Sequence, residues 1–370
     1  MTENTEVAAI YFPGWHREPR WVNAASPDFT EWDLVKAGRP RFDGHHQPIL
    51  PAFGYLDETE TPNMQRSCDL AAGAGIDAFL WDWYWYDGED FLNRPLNETF
   101  LKLPNPGIKF ALMWANHDWV DVFPAHAGVI PEPTWKGAIE QTEFVRMIEI
   151  IVQRYLTHDS YWRVNNCAWF TIFRLNELVN GLGGISQTRA ALRDFRDRAR
   201  AAGAGELHLN TMGGYGDYSS EELRELGIDS VGTYGWTESW SETPVTTLTT
   251  NYSDWRTGAT QFQKKERERL SLDFIPSVAM GWDSSLRVDQ AEEIVLGGWP
   301  YYPVVVDNTP EEFGDAISAA LTEVAEYGGT KVITVNAWNE WTEGSYLEPD
   351  SRTGDAHLRA LAKAISKDRK

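Results

Sequence analysis

The chain has 370 residues, 42% of them hydrophobic, so it can bury a large core and is not expected to be disordered. Its formal net charge of −22 disfavours nucleic acid and anionic membranes as partners, because like charges repel. No apolar run has the length of a membrane span, and the polar, acidic start lacks the features of a signal peptide. A cytoplasmic location is therefore predicted, with Cys68 and Cys167 as buried reduced thiols.

Short apolar runs and helical patterns alternate along the chain. The runs predict eight buried strands at residues 7–12, 78–81, 109–114, 168–173, 207–209, 230–234, 274–280 and 332–336. The helical patterns cover residues 64–74, 134–155, 187–202, 221–226, 255–270, 310–327 and 356–365. This order predicts an α/β fold, a (β/α)₈ TIM barrel formed as a single domain by residues 1–370. A doubly wound open sheet is the alternative, but no glycine-rich phosphate motif follows the first strand.

Two long connections and many aromatic residues accompany these strands. Residues 13–62 and 282–303 are long enough to cover the barrel mouth. The chain has 18 tryptophans, many of them beside polar residues at strand ends. Aromatic rings can stack on the C–H faces of sugars, while amides and acids bind the hydroxyl groups. The candidate carbohydrate contacts are Tyr11, Trp15, His16, His46, Asp82, Trp83, Trp114, Asn116, Tyr234, Trp236, Trp282, Asn339 and Tyr346.

Residues 336–344 (NAWNEWTEG) contain the strongest catalytic candidates. Glu340 and Glu343 directly follow the last apolar run, and their spacing puts both carboxyl groups on one side of a tight loop. Two such groups about 5–5.5 Å apart would suit a retaining glycosidase, and each would raise the pKa of the other. The spacing alone leaves another interpretation open. In that one, Glu343 caps a turn at Gly344 and Glu340 pairs with an arginine.

Several other candidates also have a structural interpretation. Asp82 could bind a sugar hydroxyl, act as a third carboxylate, or accept a hydrogen bond from a tryptophan. Asp43 lies close to His45 and His46, but adjacent histidines point in different directions, so a loop or substrate contact is favoured over a metal site. We expect no metal and no other cofactor. Asn116 could instead satisfy loop backbone groups, and the remaining aromatic candidates, including Tyr234, Trp236 and Trp282, could serve packing.

The motif at residues 336–349 resembles the one after the eighth strand in glycoside hydrolase family 99 and its bacterial relatives, the WbsX-type or family 99-like group. Further segments resemble that group in the same order along the chain. They are residues 11–16 (YFPGWH), Glu31-Trp32, residues 47–55, residues 74–79 and residues 114–116 (WAN). The resemblance spans about residues 7 to 350. It implies a (β/α)₈ barrel that cleaves glycosidic bonds with retention of configuration.

The resemblance also implies different roles for the two glutamates. Glu340 would deprotonate the substrate's own 2-hydroxyl, which attacks the anomeric carbon and gives an epoxide-type intermediate. Glu343 would protonate the leaving group and then activate water. One rival function is a glycosyltransferase of polysaccharide biosynthesis, but the sequence lacks an Asp-x-Asp motif and a basic diphosphate site. The others are a non-catalytic sugar-binding barrel and a metal-dependent lyase or isomerase. The sugar, the linkage, endo or exo action and the oligomeric state stay open.

Overall fold

The computed structural model describes residues 4–21, 28–120 and 123–369 of the chain. Eight parallel strands form the central sheet, and their order in space follows their order in the sequence. The strands are β1 (Glu6–Tyr11), β2 (Ala78–Tyr86), β3 (Lys109–Trp114), β4 (Cys167–Ile172), β5 (Leu207–Thr211), β6 (Ser230–Gly232), β7 (Asp273–Ile275 and Ser277–Ala279) and β8 (Val332–Asn336).

The sheet closes into a barrel through the two halves of β7, which lie on either side of Pro276. The first half pairs with β6, where Ile275 lies opposite Gly232. The second half pairs with β8, where Ala279 lies opposite Asn336. Since β8 also pairs with β1, the ring is continuous and the (β/α)₈ prediction is confirmed. The open-sheet alternative is wrong.

Helices cover the outside of the barrel. They are α1 (Trp32–Ala37), α2 (Thr61–Gly73), α3 (Gln141–Ile150), α4 (Leu175–Leu182), α5 (Ile185–Ala201), α6 (Ser220–Leu226), α7 (Tyr252–Arg269), α8 (Pro310–Tyr327) and α9 (Ala356–Asp368). Their apolar faces pack on the strands, whose residues are almost all buried. Of the described helices, none is long and apolar enough to cross a membrane.

Some boundaries differ from the sequence prediction. The helix predicted from residue 134 begins at Gln141, because Trp135 instead pairs with Trp119 in an extended bridge. It continues as a π-helix over Ile151–Leu156. Residues 88–106, for which the sequence pattern predicted neither a strand nor a helix, contain a short strand, Glu89–Phe91, that pairs back on β2, and helical turns at Pro95–Thr99 and Phe100–Lys102. Both α1 and α4 are additional to the predicted helices.

Two segments lie over the carboxyl ends of the strands. We call residues 13–62 the first cover segment and residues 282–303 the second cover segment. The first contains α1 and the second begins with a 3₁₀ turn, Ser284–Arg287, and residues 22–27 of the first lie outside the described residues. The two segments touch where Arg41 donates hydrogen bonds to the backbone carbonyls of Asp289 and Glu292. The predicted covers are therefore ordered parts of the fold in the described ranges.

Candidate active site

Glu340 and Glu343 lie in a tight hairpin directly after β8. Asn339–Glu340 pairs with Ser345–Tyr346, and a 3₁₀ turn over Trp341–Glu343 joins the two short strands. Gly344 ends the turn with φ 63°, and a Cβ there would lie 2.7 Å from the Cβ of Asp283. Glycine is thus needed both for the backbone conformation and for this close approach.

A single guanidinium group joins three buried carboxyl groups at the base of the barrel mouth. Arg287 Nη2 lies 2.8 Å from Glu340 Oε1, and Arg287 Nε lies 3.5 Å from Glu343 Oε1. Arg287 Nη1 lies 3.4 Å from Glu31 Oε1. The Arg287 side chain is only 5% exposed, so these contacts are shielded from water. The sequence left open that Glu340 pairs with an arginine. Arg287 is such a partner, and it also contacts Glu343.

The two hairpin glutamates have different hydrogen-bond partners. Glu340 Oε1 also accepts a hydrogen bond from Thr342 Oγ1 at 3.2 Å. Glu343 Oε1 accepts one from Trp299 Nε1 at 2.8 Å. Glu340 therefore has two donors on one oxygen, one of them charged, whereas the nearest donor to Glu343 is neutral.

Burial in this site favours the protonated form of the acids. Burial and the charge of Glu343 raise the pKa of Glu340 well above its usual value, against the effect of Arg287. Burial raises the pKa of Glu343, again against Arg287 and Trp299. Burial also raises the pKa of Glu31. Ionisation of all three carboxyl groups around one cation is unfavourable, because their negative charges repel one another. The site therefore retains protons at pH values where exposed acids have lost them.

Asp82 and Tyr234 bring two more polar groups to the same cavity. The Tyr234 hydroxyl lies 3.5 Å from Asp82 Oδ2. Asp82 Oδ1 is buried, and none of the described residues offers it a hydrogen bond. Burial, with a further effect of Glu343, raises the pKa of Asp82 well above its usual value. Asp82 is thus a buried acid close to the glutamate pair, and its side chain lines the cavity.

The cavity above these acids has a volume of about 840 Å³, and many aromatic rings line it. Its size is within the range of small-molecule sites, and the combination of rings and polar groups suits sugars. The rings are Phe12, Tyr84, Trp119, Phe123, Phe173, Tyr215, Tyr234, Trp240, Phe262, Trp282, Trp299 and Tyr302. The charged or titratable groups are Asp82, His117, Asp118, Arg174, Glu238, Glu266, Arg287, Glu340 and Glu343.

Of the candidate residues from the sequence, the cavity brings together Glu340, Glu343, Asp82, Tyr234 and Trp282. Three other candidates instead make contacts of the first cover segment, to which Trp15 and His16 themselves belong, while Tyr11 ends β1. Tyr11 donates a hydrogen bond to Glu58 Oε2 at 3.0 Å, and His16 Nδ1 lies 3.1 Å from Glu58 Oε1. Trp15 packs against Trp32 with ring centroids 4.1 Å apart. These contacts hold the cover segment on the barrel.

Three tryptophans face outward from the barrel towards the helices. Trp83 Nε1 donates a hydrogen bond to the Tyr155 hydroxyl at 3.2 Å. Trp114 packs against Phe144 of α3, and Trp236 packs against Trp255 of α7. They are part of the core between strands and helices.

Two asparagines join neighbouring strand ends. Asn339 accepts a hydrogen bond from the Phe12 N–H and donates one to the Phe12 carbonyl, both at 2.8 Å. Asn116 makes the same pair of bonds with the backbone of Arg174, also at 2.8 Å. Both side-chain amides are thus satisfied by backbone groups, at the ends of β8 and β3.

The last two candidates border a separate groove. Tyr346 is buried and donates a hydrogen bond to Asp350 Oδ2 at 3.1 Å, while His46 is exposed. Its neighbour His45 is buried and lies 2.9 Å from Asp283 Oδ2. This groove lies behind the hairpin of Glu343 rather than in the aromatic cavity.

Glu31 and Arg287 are the most important site residues that the sequence candidates omitted. Glu31 lies in the first cover segment and Arg287 in the second, and the two residues are 256 positions apart in the sequence. Glu31-Trp32 stood out only through the family resemblance, and nothing in the local sequence distinguished Arg287. Trp299 and Tyr84 were also omitted. Alternation along β2 was an available signal for Tyr84, since Asp82 and Tyr84 lie on the same face.

The fold and the family of this protein follow from these observations. It is a (β/α)₈ barrel with paired acids and aromatic rings in a cavity at the carboxyl ends of the strands, where barrel enzymes have their active sites. The chain belongs to the family described as Glycosyltransferase WbsX, which matches residues 7–361.

One relative in sequence and two solved structures illustrate how far the similarity extends. The chain is 28% identical over 377 residues to the uncharacterized protein WxcX of Xanthomonas campestris pv. campestris, a match over 98% of this chain and 50% of that protein. The chain thus spans about half the length of the curated relatives it matches. A GH99 endo-alpha-mannosidase from Bacteroides thetaiotaomicron has a similar fold, with a TM-score of 0.60, 14% identity, and coverage of 98% of this chain and 97% of that one. GH5_18 from Streptomyces cattleya has a TM-score of 0.52 at 8% identity, over 100% and 82% of the chains.

Proposed function

We propose that the protein is a retaining glycoside hydrolase that cleaves oligo- or polysaccharides with help from the substrate's 2-hydroxyl group. The observation that carries this proposal is the pair Glu340 and Glu343, buried at the base of an aromatic cavity and sharing Arg287. Two acids with different partners can take different protonation states, which acid and base catalysis in one step requires.

In the first step, Glu340 accepts the proton of the 2-hydroxyl, and the 2-oxygen attacks the anomeric carbon. The bond from that carbon to the leaving oxygen breaks, and Glu343 donates its proton to that oxygen. The contacts support this division, because Arg287 and Thr342 both donate to one oxygen of Glu340 and so favour its ionised form. Burial and the charge of Glu343 raise the pKa of Glu340 well above its usual value, but the second effect is absent while Glu343 holds the proton.

In the second step, the roles reverse. Glu343 accepts a proton from water, the water oxygen attacks the anomeric carbon, and the three-membered ring opens. Glu340 then returns its proton to the 2-oxygen. Two inversions at one carbon give net retention. The route requires a 2-hydroxyl trans to the leaving group, as in α-mannosides, and a GH99 endo-alpha-mannosidase is among the proteins with a similar fold.

A second candidate is a glycosyltransferase, and the description of the family favours it. A nucleotide-sugar donor carries a diphosphate that needs cations. The arginines that line the described part of the cavity are Arg174 and Arg287, and Arg287 already contacts three carboxyl groups. This charge distribution supports hydrolysis rather than transfer from a nucleotide sugar.

Activity on a glycoside array separates these functions. We expect wild type to release sugar from aryl glycosides and oligosaccharides without any nucleotide sugar, and NMR to show retained configuration at the anomeric carbon. A 2-deoxy analogue of a good substrate should not be cleaved. Turnover only in the presence of a nucleotide sugar would support the transferase instead.

Glutamine variants test the two roles. Glu340→Gln should lower kcat at least about 100-fold on every substrate, the usual scale of lost acid or base catalysis. Glu343→Gln should lower kcat by as much on natural linkages. It should lower kcat less on an aryl glycoside with an acidic leaving group, because such a group leaves without being protonated. Glu348→Gln is the matched control, because Glu348 is a half-buried glutamate close to the same hairpin that accepts hydrogen bonds from Trp341 and Ser67 and does not line the cavity. Equal losses for Glu343→Gln on both substrates would contradict its role as the acid.

A further inference from the structure

We propose that Arg287 is a positioning residue that keeps Glu340 ionised as the base and stabilises the negative charge as it moves to Glu343. The inference rests on the proposed function, since it assigns Arg287 a role in that same reaction. Its protonation readout below is independent of turnover.

The first support is the geometry of the guanidinium group. Arg287 approaches Glu340 with Nη2, Glu343 with Nε and Glu31 with Nη1, so each carboxyl group has its own nitrogen. The planar fork of arginine can hold several acceptors at once, whereas the ammonium of lysine acts as a point charge. The shortest of the three contacts, 2.8 Å, is to Glu340, and this one favours the ionised base most strongly.

The second support is the movement of charge in the proposed reaction. Before the first step Glu340 carries the negative charge and Glu343 the proton. Afterwards Glu340 holds the proton and Glu343 carries the charge. Since Arg287 already contacts both groups, it stabilises either state with little reorganisation, and preorganised charges of this kind lower barriers effectively in dry sites.

The third support is the environment of Arg287. Burial lowers the pKa of Arg287, but the charges of Glu31, Glu340 and Glu343 outweigh this and raise it above its usual value. Arg287 therefore stays charged. Its guanidinium carbon lies 4.6 Å from the ring centre of Phe123 and 5.7 Å from that of Trp299. Among the described residues, Tyr84 and His117 also interact electrostatically with it.

The fourth support is that both cover segments fix this arrangement. Arg287 belongs to the second cover segment and Glu31 to the first. Asp283, four residues before Arg287, accepts hydrogen bonds from Gln47 and Ser285, and its N–H donates to the Glu343 carbonyl at 2.6 Å. The backbone that precedes Arg287 is thus fixed against the glutamate hairpin, and Arg287 is not a free surface side chain.

Carbon-13 NMR of labelled glutamate side chains tests the inference directly. Wild type is titrated, and Glu340→Gln and Glu343→Gln assign the two signals. In Arg287→Met we expect the pKa of Glu340 to rise by about one unit or more, the usual effect of losing an opposite charge at this distance. Arg287→Lys keeps the charge without the fork and should give a smaller rise, which covers the case in which Arg287→Met does not fold.

Activity provides the second readout. The acidic limb of kcat/KM, which reports the free enzyme's base, should move to higher pH in Arg287→Met by the same amount as the NMR titration. Arg41→Met is the matched control, because Arg41 holds the second cover segment through backbone carbonyls and touches neither glutamate. It should leave the pKa of Glu340 unchanged.

The outcomes separate the two proposals. A Glu340 pKa in Arg287→Met within a few tenths of wild type, or an equal rise in Arg41→Met, would overturn the role of Arg287. Failure of wild type to cleave any glycoside would instead count against the proposed function, and the NMR titration would still decide whether Arg287 controls Glu340.

Discussion

The carboxyl group of Asp82 is buried in the barrel, and its Oδ1 has no hydrogen-bond partner among the described residues. A buried acid with a raised pKa destabilises the fold above the usual pKa of aspartate, because the unfolded chain ionises freely while the folded chain holds the proton. Proteins tolerate such groups chiefly where they are needed for function. Since Asp82 lines the cavity beside Tyr234, a contact to a substrate hydroxyl is the expected use.

Substitution of Asp82 should therefore raise stability and lower activity. We expect Asp82→Asn to increase the free energy of unfolding at pH 7 by about 1 kcal/mol or more, since the amide has no charge to suppress. The gain should vanish below about pH 4, where the unfolded chain is protonated as well. At the same time kcat/KM should fall. Denaturant unfolding at pH 4 and pH 7, together with kinetics, measures both effects.

Tyr234→Phe separates the effect of the buried acid from the effect of its contact with the Tyr234 hydroxyl. It removes the hydroxyl partner of Asp82 but keeps the acid, so it should not stabilise the protein. A neutral or destabilising effect of Asp82→Asn at pH 7 would contradict a protonated Asp82 in the folded protein.

At the level of residues, more of the predicted acids than of the predicted aromatic contacts lie in the cavity. Glu340 and Glu343 line it because they follow β8 at the barrel mouth, and Asp82 because it lies on the inward face of β2. Trp83 and Trp114 face the helices, and alternation along a strand explains both positions, since their neighbours line the cavity. Arg287 could not be found in this way, because only the folded second cover segment brings it to the hairpin.

At the scale of elements, the first cover segment is attached through a buried cluster around Glu58. Glu58 accepts hydrogen bonds from the Trp15 N–H at 2.8 Å and from the Tyr11 hydroxyl at 3.0 Å. His16 lies 3.1 Å from Glu58 and 3.9 Å from Glu18. Burial alone would lower the pKa of His16, but Glu18 and Glu58 outweigh it and raise the pKa to about 9.

This cluster predicts a loss of stability at alkaline pH. The His16 pKa lies above its usual value of about 6.5, so its stabilisation is complete below that pH and is lost as the pH rises through about 9. We expect the urea midpoint of wild type to fall between these values, and His16→Gln to remove most of that fall. Unfolding curves at several pH values across this window measure the effect.

His357→Gln is the matched control for this experiment. His357 is also a buried histidine, but burial lowers its pKa, so it is neutral throughout the window. Its variant should keep the slope of wild type. The same slope in His16→Gln would show that other groups cause the alkaline fall.

The strands were predictable as elements because each is a short apolar run covered on both faces. β3 and β8 have the predicted bounds, whereas β2 continues past its predicted end to Tyr86. The extension pairs with Glu89–Phe91, and no apolar pattern marks such a local hairpin. The sequence pattern also predicted one continuous strand at residues 274–280, whereas β7 is divided at Pro276. The proline could have indicated this division, because it cannot donate a hydrogen bond to a sheet.

At the scale of the whole molecule, negative charge dominates, with a formal net charge of −22. The cavity contributes less to it, because burial raises the pKa of Asp82, Glu340 and Glu343, while Asp118 and Glu266 also line it, together with two arginines. Clefts with one sign of charge focus the field and change the association rate of charged ligands. A sugar chain that carries carboxylates should therefore enter more slowly than a neutral chain of the same shape.

Salt dependence tests this expectation on any substrate pair that differs only in a carboxylate, such as a glycoside and its uronic acid form. We expect kcat/KM for the neutral member to change little with ionic strength. For the acidic member it should be lower at low salt and should rise between about 10 mM and about 1 M NaCl, because the Debye length shortens from about 30 to about 3 Å. A higher kcat/KM for the acidic member at low salt, falling as salt is added, would show that Arg174 or Arg287 recognises an anionic sugar. The site would then accept a charged polysaccharide despite the acidity of the chain as a whole.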